Sequence, residues 1–112
     1  MHYLISFPAR AMAVPAEEMA AVGEAARVVI REAKAAGVYV FGGGINAAVA
    51  PVMVAADGAV TRGTYPETRE LDGGFCVLRL PSREAALGWA ARIAAACRCA
   101  QEVREFGYDP ES

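Results

Sequence analysis

The pattern that most restricts how this chain can fold is a doubled one. A strand-forming run, an amphipathic helical stretch and a second strand-forming run occur in that order, and then occur again. The first unit opens at His2 to Phe7, where Tyr3, Ile5 and Phe7 alternate with Leu4 and Ser6. Aromatic and branched residues at both parities predict a strand covered on both sides. Pro15 suits the first turn of a helix, where a missing N–H goes unnoticed, and Glu17 and Glu18 complement the positive end of the helix dipole. A helix is therefore predicted from near Pro15. Met19, Val22, Ala26, Val29 and Ala33 form its buried stripe, and Gly37 supplies a left-handed cap. Val38-Tyr39-Val40-Phe41 is the second strand, and Gly42-Gly43-Gly44 after it predicts a turn or a close backbone approach.

The second unit begins with Gly73-Gly74 and the strand Phe75 to Leu80. Ser82 is placed to cap a helix whose stripe is Ala86, Trp89, Ala90, Ile93 and Cys97, and Gln101 to Phe106 alternates as a last strand. Between the units, Val52-Met53-Val54 and Val60-Thr61-Arg62 flank Asp57-Gly58, a pair suited to the positive φ of a hairpin turn. Two strand-helix-strand units interleave into one antiparallel sheet with both helices on one face. The predicted class is thus α+β, a ferredoxin-like βαββαβ arrangement with an inserted β-hairpin. Strands that are apolar on both sides leave the second face in need of cover, which predicts a homodimer packed face to face.

At 112 residues there is room for one hydrophobic core, so residues 1–108 are read as a single domain and 109–112 as a loose tail. A composition 55% hydrophobic and 21% charged excludes a disordered chain. The net charge of −2 offers no basic footprint, so nucleic acid is not expected as a direct partner. No stretch is long and apolar enough for a membrane span or a signal peptide, and three cysteines make no disulfide framework; a cytoplasmic protein is expected.

The densest polar segment is Tyr65 to Glu70. There Glu67 is the candidate acid or base and Tyr65 its candidate catalytic companion, with Thr68, Arg69 and Arg62 as candidate contacts to a small anionic ligand. The competing reading of the same residues is structural, with Glu67 and Glu70 paired to Arg69 and Arg62. Tyr39 and Phe41, with Trp89, are either the walls of an apolar ligand cavity or ordinary core. Gly42-Gly43-Gly44 lacks the following helix and the lysine of a phosphate loop. His2 can act as an acid or base only if its strand ends at a pocket mouth. Cys97 and Cys99 would need Cys76 and His2 from distant segments to complete a metal site, so neither metal nor cofactor is expected.

The run Gly63-Thr64-Tyr65-Pro66-Glu67-Thr68-Arg69-Glu70-Leu71-Asp72-Gly73-Gly74-Phe75 resembles the signature segment of the DGPF-domain branch of the YCII-related family. The resemblance extends to the helix ending at Ala36-Gly37, the Gly42-Gly43 pair, the Asp57-Gly58 hairpin and Ser82 to Ile93. It implies a dimeric α+β barrel of ferredoxin-like subunits, in a family mostly of unknown activity. Two departures bear on chemistry. The branch's Asp-Gly-Pro-Phe stands here as Arg62-Gly63-Thr64-Tyr65, and the histidine often found on the first helix of the broader group is replaced, near the same place, by Ala26. The expected function is a dimeric ligand-binding or partner-binding module without a legible catalytic pair. The alternative is a small cofactor-independent lyase or isomerase working through the Tyr65 to Glu70 loop.

Overall fold

A computed structural model describes all residues 1–112. Six strands and two helices follow in the order β1 (His2–Phe7), α1 (Met19–Ala35), β2 (Tyr39–Gly44), β3 (Val52–Val54), β4 (Val60–Arg62), β5 (Gly74–Arg79), α2 (Arg83–Cys97) and β6 (Glu102–Glu105). β2, β5, β1 and β6 form one antiparallel sheet in that spatial order, and β3 and β4 form a separate ribbon. This is the ferredoxin-like fold with its inserted hairpin.

Pairing of Ile5 with Cys76 and of Tyr3 with Leu78 sets the central register. These four side chains are buried beneath α1 and α2, against Val29, Ala33, Ala86, Ala90 and Ile93. Alanine at the helix contacts lets both helices lie close to the strands. The Tyr3 hydroxyl donates to the Glu105 carboxylate at 3.0 Å, which ties β1 to β6 at the same layer. At the start of α2 the Ala85 N–H donates to Ser82 Oγ at 3.2 Å, the expected cap. Glu32 pairs with Arg92, and Glu18 with Arg98, so each end of the helix pair is joined by charge.

Two local expectations are corrected. The first helix begins with a 3-10 turn at Ala16–Glu18 and is α-helical only from Met19. Gly42, Gly43 and Gly44 do not turn the chain; they continue β2 and pair with Cys76, Phe75 and Gly74. Glycine is required there for space, because a Cβ on Gly42 would lie 2.9 Å from both Tyr39 Oη and the Phe75 carbonyl oxygen. The change of direction comes after Gly44, where the Ile45 N–H donates to the Gly73 carbonyl at 2.8 Å.

By alternation, the sheet face away from the helices carries Leu4, Ser6, Phe75, Val77 and Phe41, and Phe41 is 69% exposed. The subunit is a slab with extents of 43 × 43 × 20 Å and a radius of gyration of 15.6 Å, where a compact chain of this length has about 13 Å. Its accessible surface is 7774 Å², against about 5,900 Å² for a typical monomer of the same mass.

Gly73 occupies the tightest position. Its φ is +81°, and a Cβ would fall 2.2 Å from the Phe7 carbonyl oxygen and 2.7 Å from Ala9 N. Gly37 has a similar φ of +74° but open space around it. Gly73→Ala should therefore lose at least about 3 kcal/mol in urea unfolding, and Gly37→Ala only about 1 kcal/mol. Equal losses would contradict the close approach.

Candidate functional site

Two cavities flank the sheet at the end where β1 leaves and β5 enters. The first lies between the sheet and α1 and has a volume of about 280 Å³. It exists because side chains are missing: Gly42, Gly44 and Gly74 present bare backbone on the helix-facing side, and α1 contributes the small Ala26 beside Ile30. Ile5, Ile30 and Ile93 supply apolar walls.

The polar groups of this cavity are neutral. Tyr39 lies along one wall, with the Lys34 ammonium 5.1 Å from its ring centroid. Burial pushes its phenol pKa up, and the Cys76 thiol adds to the effect. Burial, followed by the proximity of Cys97, pushes the Cys76 thiol up to about 11. Cys76 is therefore a protonated, apolar wall at neutral pH, with no nucleophilic character. The Gln101 amide completes the set. A site of this kind can hold an uncharged molecule and offer it hydrogen bonds, but it contains no ionised group to move a proton.

The second cavity, of about 560 Å³, opens on the other face of the sheet. Leu4 and Ser6 of β1 and Glu102 and Arg104 of β6 line it, together with the Glu67 to Asp72 segment. This segment is held by two contacts to the stretch after β1: Arg10 pairs with Glu70 at 3.1 Å, and the Ala9 N–H donates to Asp72 Oδ1 at 2.9 Å. Arg104 pairs with Glu102 at 3.3 Å. Phe7, on the helix side of the sheet, and Phe75, on the open side, line both cavities.

The residues singled out in the sequence are divided by this geometry. Glu67 and Thr68 line the second cavity, and Tyr39 lines the first. Tyr65 and Arg69 are exposed and line neither. Arg62 sits at the end of β4 in the separate ribbon, also exposed. Phe41 is on the opposite sheet face from Tyr39, because an irregularity in β2 between them changes the alternation, so the two do not wall one cavity. Trp89 stacks under the Arg92 guanidinium at 4.2 Å and faces no cavity. The structural reading of the polar loop also changes partners: Glu70 takes Arg10 in place of Arg69 or Arg62.

His2 is at the far end of β1 from both cavities, four residues and about 13 Å from Ser6. No three His, Cys, Asp or Glu side chains converge to hold a metal ion, and no helix is long and apolar enough to cross a membrane. Sequence reasoning missed Ser6, Arg10 and Asp72. The one signal was Ser6 itself, a hydroxyl at a strand position whose neighbours are all apolar.

The sequence model of the YCII-related domain matches residues 1–106. Among curated proteins none matches the chain. Among solved structures, the chain is similar to 5-chloro-2-hydroxyhydroquinone dehydrochlorinase from Burkholderia phenoliruptrix AC1100 in complex with 2,5-dihydroxybenzoquinone. The TM-score is 0.52 at 15% identity, over 99% of this chain and 98% of the enzyme. At that identity the likeness is one of fold.

The buried thiols give a direct check on the cavity. At pH 8 the native protein should be alkylated by iodoacetamide at the half-buried Cys99 first, while Cys76 reacts only after unfolding. The denatured chain gives up the Cys76 proton earlier than the folded one, so stability should fall as the pH rises from 9.0 toward about 11. Peptide mapping and urea titrations read the two effects; native labelling of Cys76 as fast as in denaturant would refute its burial.

Proposed function

Since the chain belongs to the YCII-related domain family, we propose that it works as a homodimeric ligand-binding module holding a small, neutral, single-ring molecule in the cavity beneath α1. The observation that carries this reading is the cavity's construction from bare glycine backbone and Ala26, with neutral hydrogen-bonding groups at its wall. Ligand pockets begin at about 300 Å³, and a void of about 150 Å³ takes a benzene ring, so about 280 Å³ suits one substituted ring. The isoleucines take the ring out of water, and the Tyr39 hydroxyl and the Gln101 side-chain oxygen are the available partners for its substituents, the Gln101 amide nitrogen donating to the Cys99 carbonyl at 3.2 Å. The dehydrochlorinase of similar fold binds a single-ring dihydroxybenzoquinone, which supports the size class.

The homodimer is supported by area. The excess of about 1,900 Å² over a typical monomer exceeds the roughly 800 Å² that each partner buries in a stable interface. The uncovered sheet face, with Phe41 at its β2 edge, is the surface this reading assigns to the interface. The free thiols fit a reducing cytoplasm.

The lyase or isomerase reading through Glu67 has less support. Of its companions only Thr68 lines the cavity that Glu67 reaches, and Tyr65, Arg69 and Arg62 do not, so the orienting set this reading requires is not assembled there.

Hydroquinone and related neutral phenols are the probes of choice. At ten times its Kd such a ligand should add about 1.4 kcal/mol, a rise of about 5 °C in Tm. Ala26→Phe fills the cavity and should abolish the rise without unfolding the chain. An unchanged rise in that variant would place the ligand elsewhere and overturn the site. Light scattering from 1 to 100 μM, taken as an order-of-magnitude range around typical affinities, should give twice the 11.7 kDa chain mass.

A further inference from the structure

We propose that the β3–β4 ribbon is an exchange arm: in the dimer it lies on the open sheet face of the other copy and sets Arg62 against the partner's Glu67. This rests on the homodimer reading above and specifies its contact. The first ground is the ribbon itself. Its strands have three residues each, pair only with one another, and have no substantial packing on any other element. Its base is closed by the Gly63 N–H donating to the Pro51 carbonyl at 3.0 Å, and its tip by Asp57 Oδ1 accepting from the Ala59 N–H at 2.9 Å. A two-stranded ribbon this short is marginal in water unless one face is covered. Register puts Val54 opposite Val60 and Val52 opposite Arg62, so one face carries three exposed valines with an arginine at their end.

The second ground is placement. β2 and β6 are the two edges of the sheet. The arm leaves from the β2 edge, and the charged cavity lies along β1 and β6 at the same end of the sheet. Two open faces stacked about a two-fold axis running along the strands put the β2 edge of one copy over the β6 edge of the other, with like ends together. The arm of each copy is then delivered to the charged cavity of the other. The valines meet the apolar face of Leu4 and Phe75, and the contact is made twice.

The third ground is charge. The cavity is lined by Glu67, Glu70, Asp72 and Glu102 against Arg10 and Arg104. Arg10 is taken by Glu70, Arg104 by Glu102, and Asp72 accepts from the Ala9 N–H. Glu67 has no hydrogen bond or ion pair in its own chain, and neither has Arg62. Ser6, only 5% exposed, lines the floor of the same cavity with a hydroxyl that no side chain or backbone group engages. A guanidinium entering from outside meets an unpaired carboxylate and a free hydroxyl, a planar donor set against two acceptors.

Charge exchange between subunits tests this directly. Arg62→Glu alone places two carboxylates in the contact, and Glu67→Arg alone places two guanidiniums there. By ultracentrifugation each variant should self-associate at least tenfold more weakly than the unaltered protein. Mixed in equal amounts, the two should form mixed dimers of near-normal affinity, because both contacts are then between opposite charges. The double variant Arg62→Glu, Glu67→Arg should dimerise on its own, and Val54→Asp, on the apolar face of the arm, should weaken dimerisation without any charge partner. Circular dichroism confirms that each variant is folded. Dimers unaffected by any of these changes, or no preference for mixed dimers, would overturn the arm contact and leave the homodimer standing. An unaltered protein that remains a monomer would overturn both.

Discussion

Everything in this structure depends on a thin core held on one side of a four-stranded sheet. Tyr3, Ile5, Cys76 and Leu78 project from the two central strands, and alanines on α1 and α2 close over them. Small residues at the helix contacts bring the layers close, and the core that results is well packed but shallow. Only 13 of 112 residues are buried in the isolated subunit. The hydrophobic effect scales with area removed from water, so a chain that is 55% hydrophobic and buries so few residues has left much of its driving force unused. Exposed apolar side chains include Phe41 on the bare sheet face and Val52, Val54 and Val60 on the arm. The one-sided core thus explains why the subunit is flat and why one sheet face is left open.

The site follows from where side chains are withheld. A strand that is to be buried normally fills its helix-facing side with branched residues. β2 instead runs into three glycines, and Gly74 stands beside Gly44 on β5. Gly42 is required because the Phe75 carbonyl oxygen lies 2.9 Å from where its Cβ would stand, with the Tyr39 hydroxyl equally close. The same substitution of backbone for side chain opens the cavity below Ala26 and leaves the tyrosine as its main polar wall. Fold and site therefore share residues: the glycines that permit the close strand contact also leave the volume in which a ring can lie.

Much of the fold was legible in the sequence, because the periodicities were strong and the punctuation clear. Ser82 caps, Gly37 terminates, Asp57-Gly58 turns, and the two strand-helix-strand units interleave as their order implies. The glycine triplet allowed either a turn or a close backbone approach, and only the facing β5 backbone and the Tyr39 side chain reveal that it is the second. Sites were harder for a related reason. Tyr39 and Phe41 are two apart, which in a regular strand puts them on one face, and an irregularity in β2 separates them. Arg10 cannot be matched to Glu70 from sequence, since they are 60 positions apart and only the sheet brings them together.

The two cavities divide the chemistry of the molecule across one layer of backbone. On the helix side, burial holds thiols and phenol in their neutral forms, so recognition there depends on shape and on weakly polar hydrogen bonds. On the open side the lining is charged and partly neutralised by its own ion pairs; Asp72 accepts from the Ala9 N–H, and the Glu67 carboxylate has no partner. In the proposed arm contact an aspartate at position 62, as in the branch this chain resembles, would meet that carboxylate with like charge, whereas arginine would complement it. Phe7 and Phe75 line both spaces from opposite sides of the sheet, the Phe7 ring over Gly74 on the helix side and Phe75 on the open face. A change in the packing of either residue therefore reaches both cavities across a single layer of backbone.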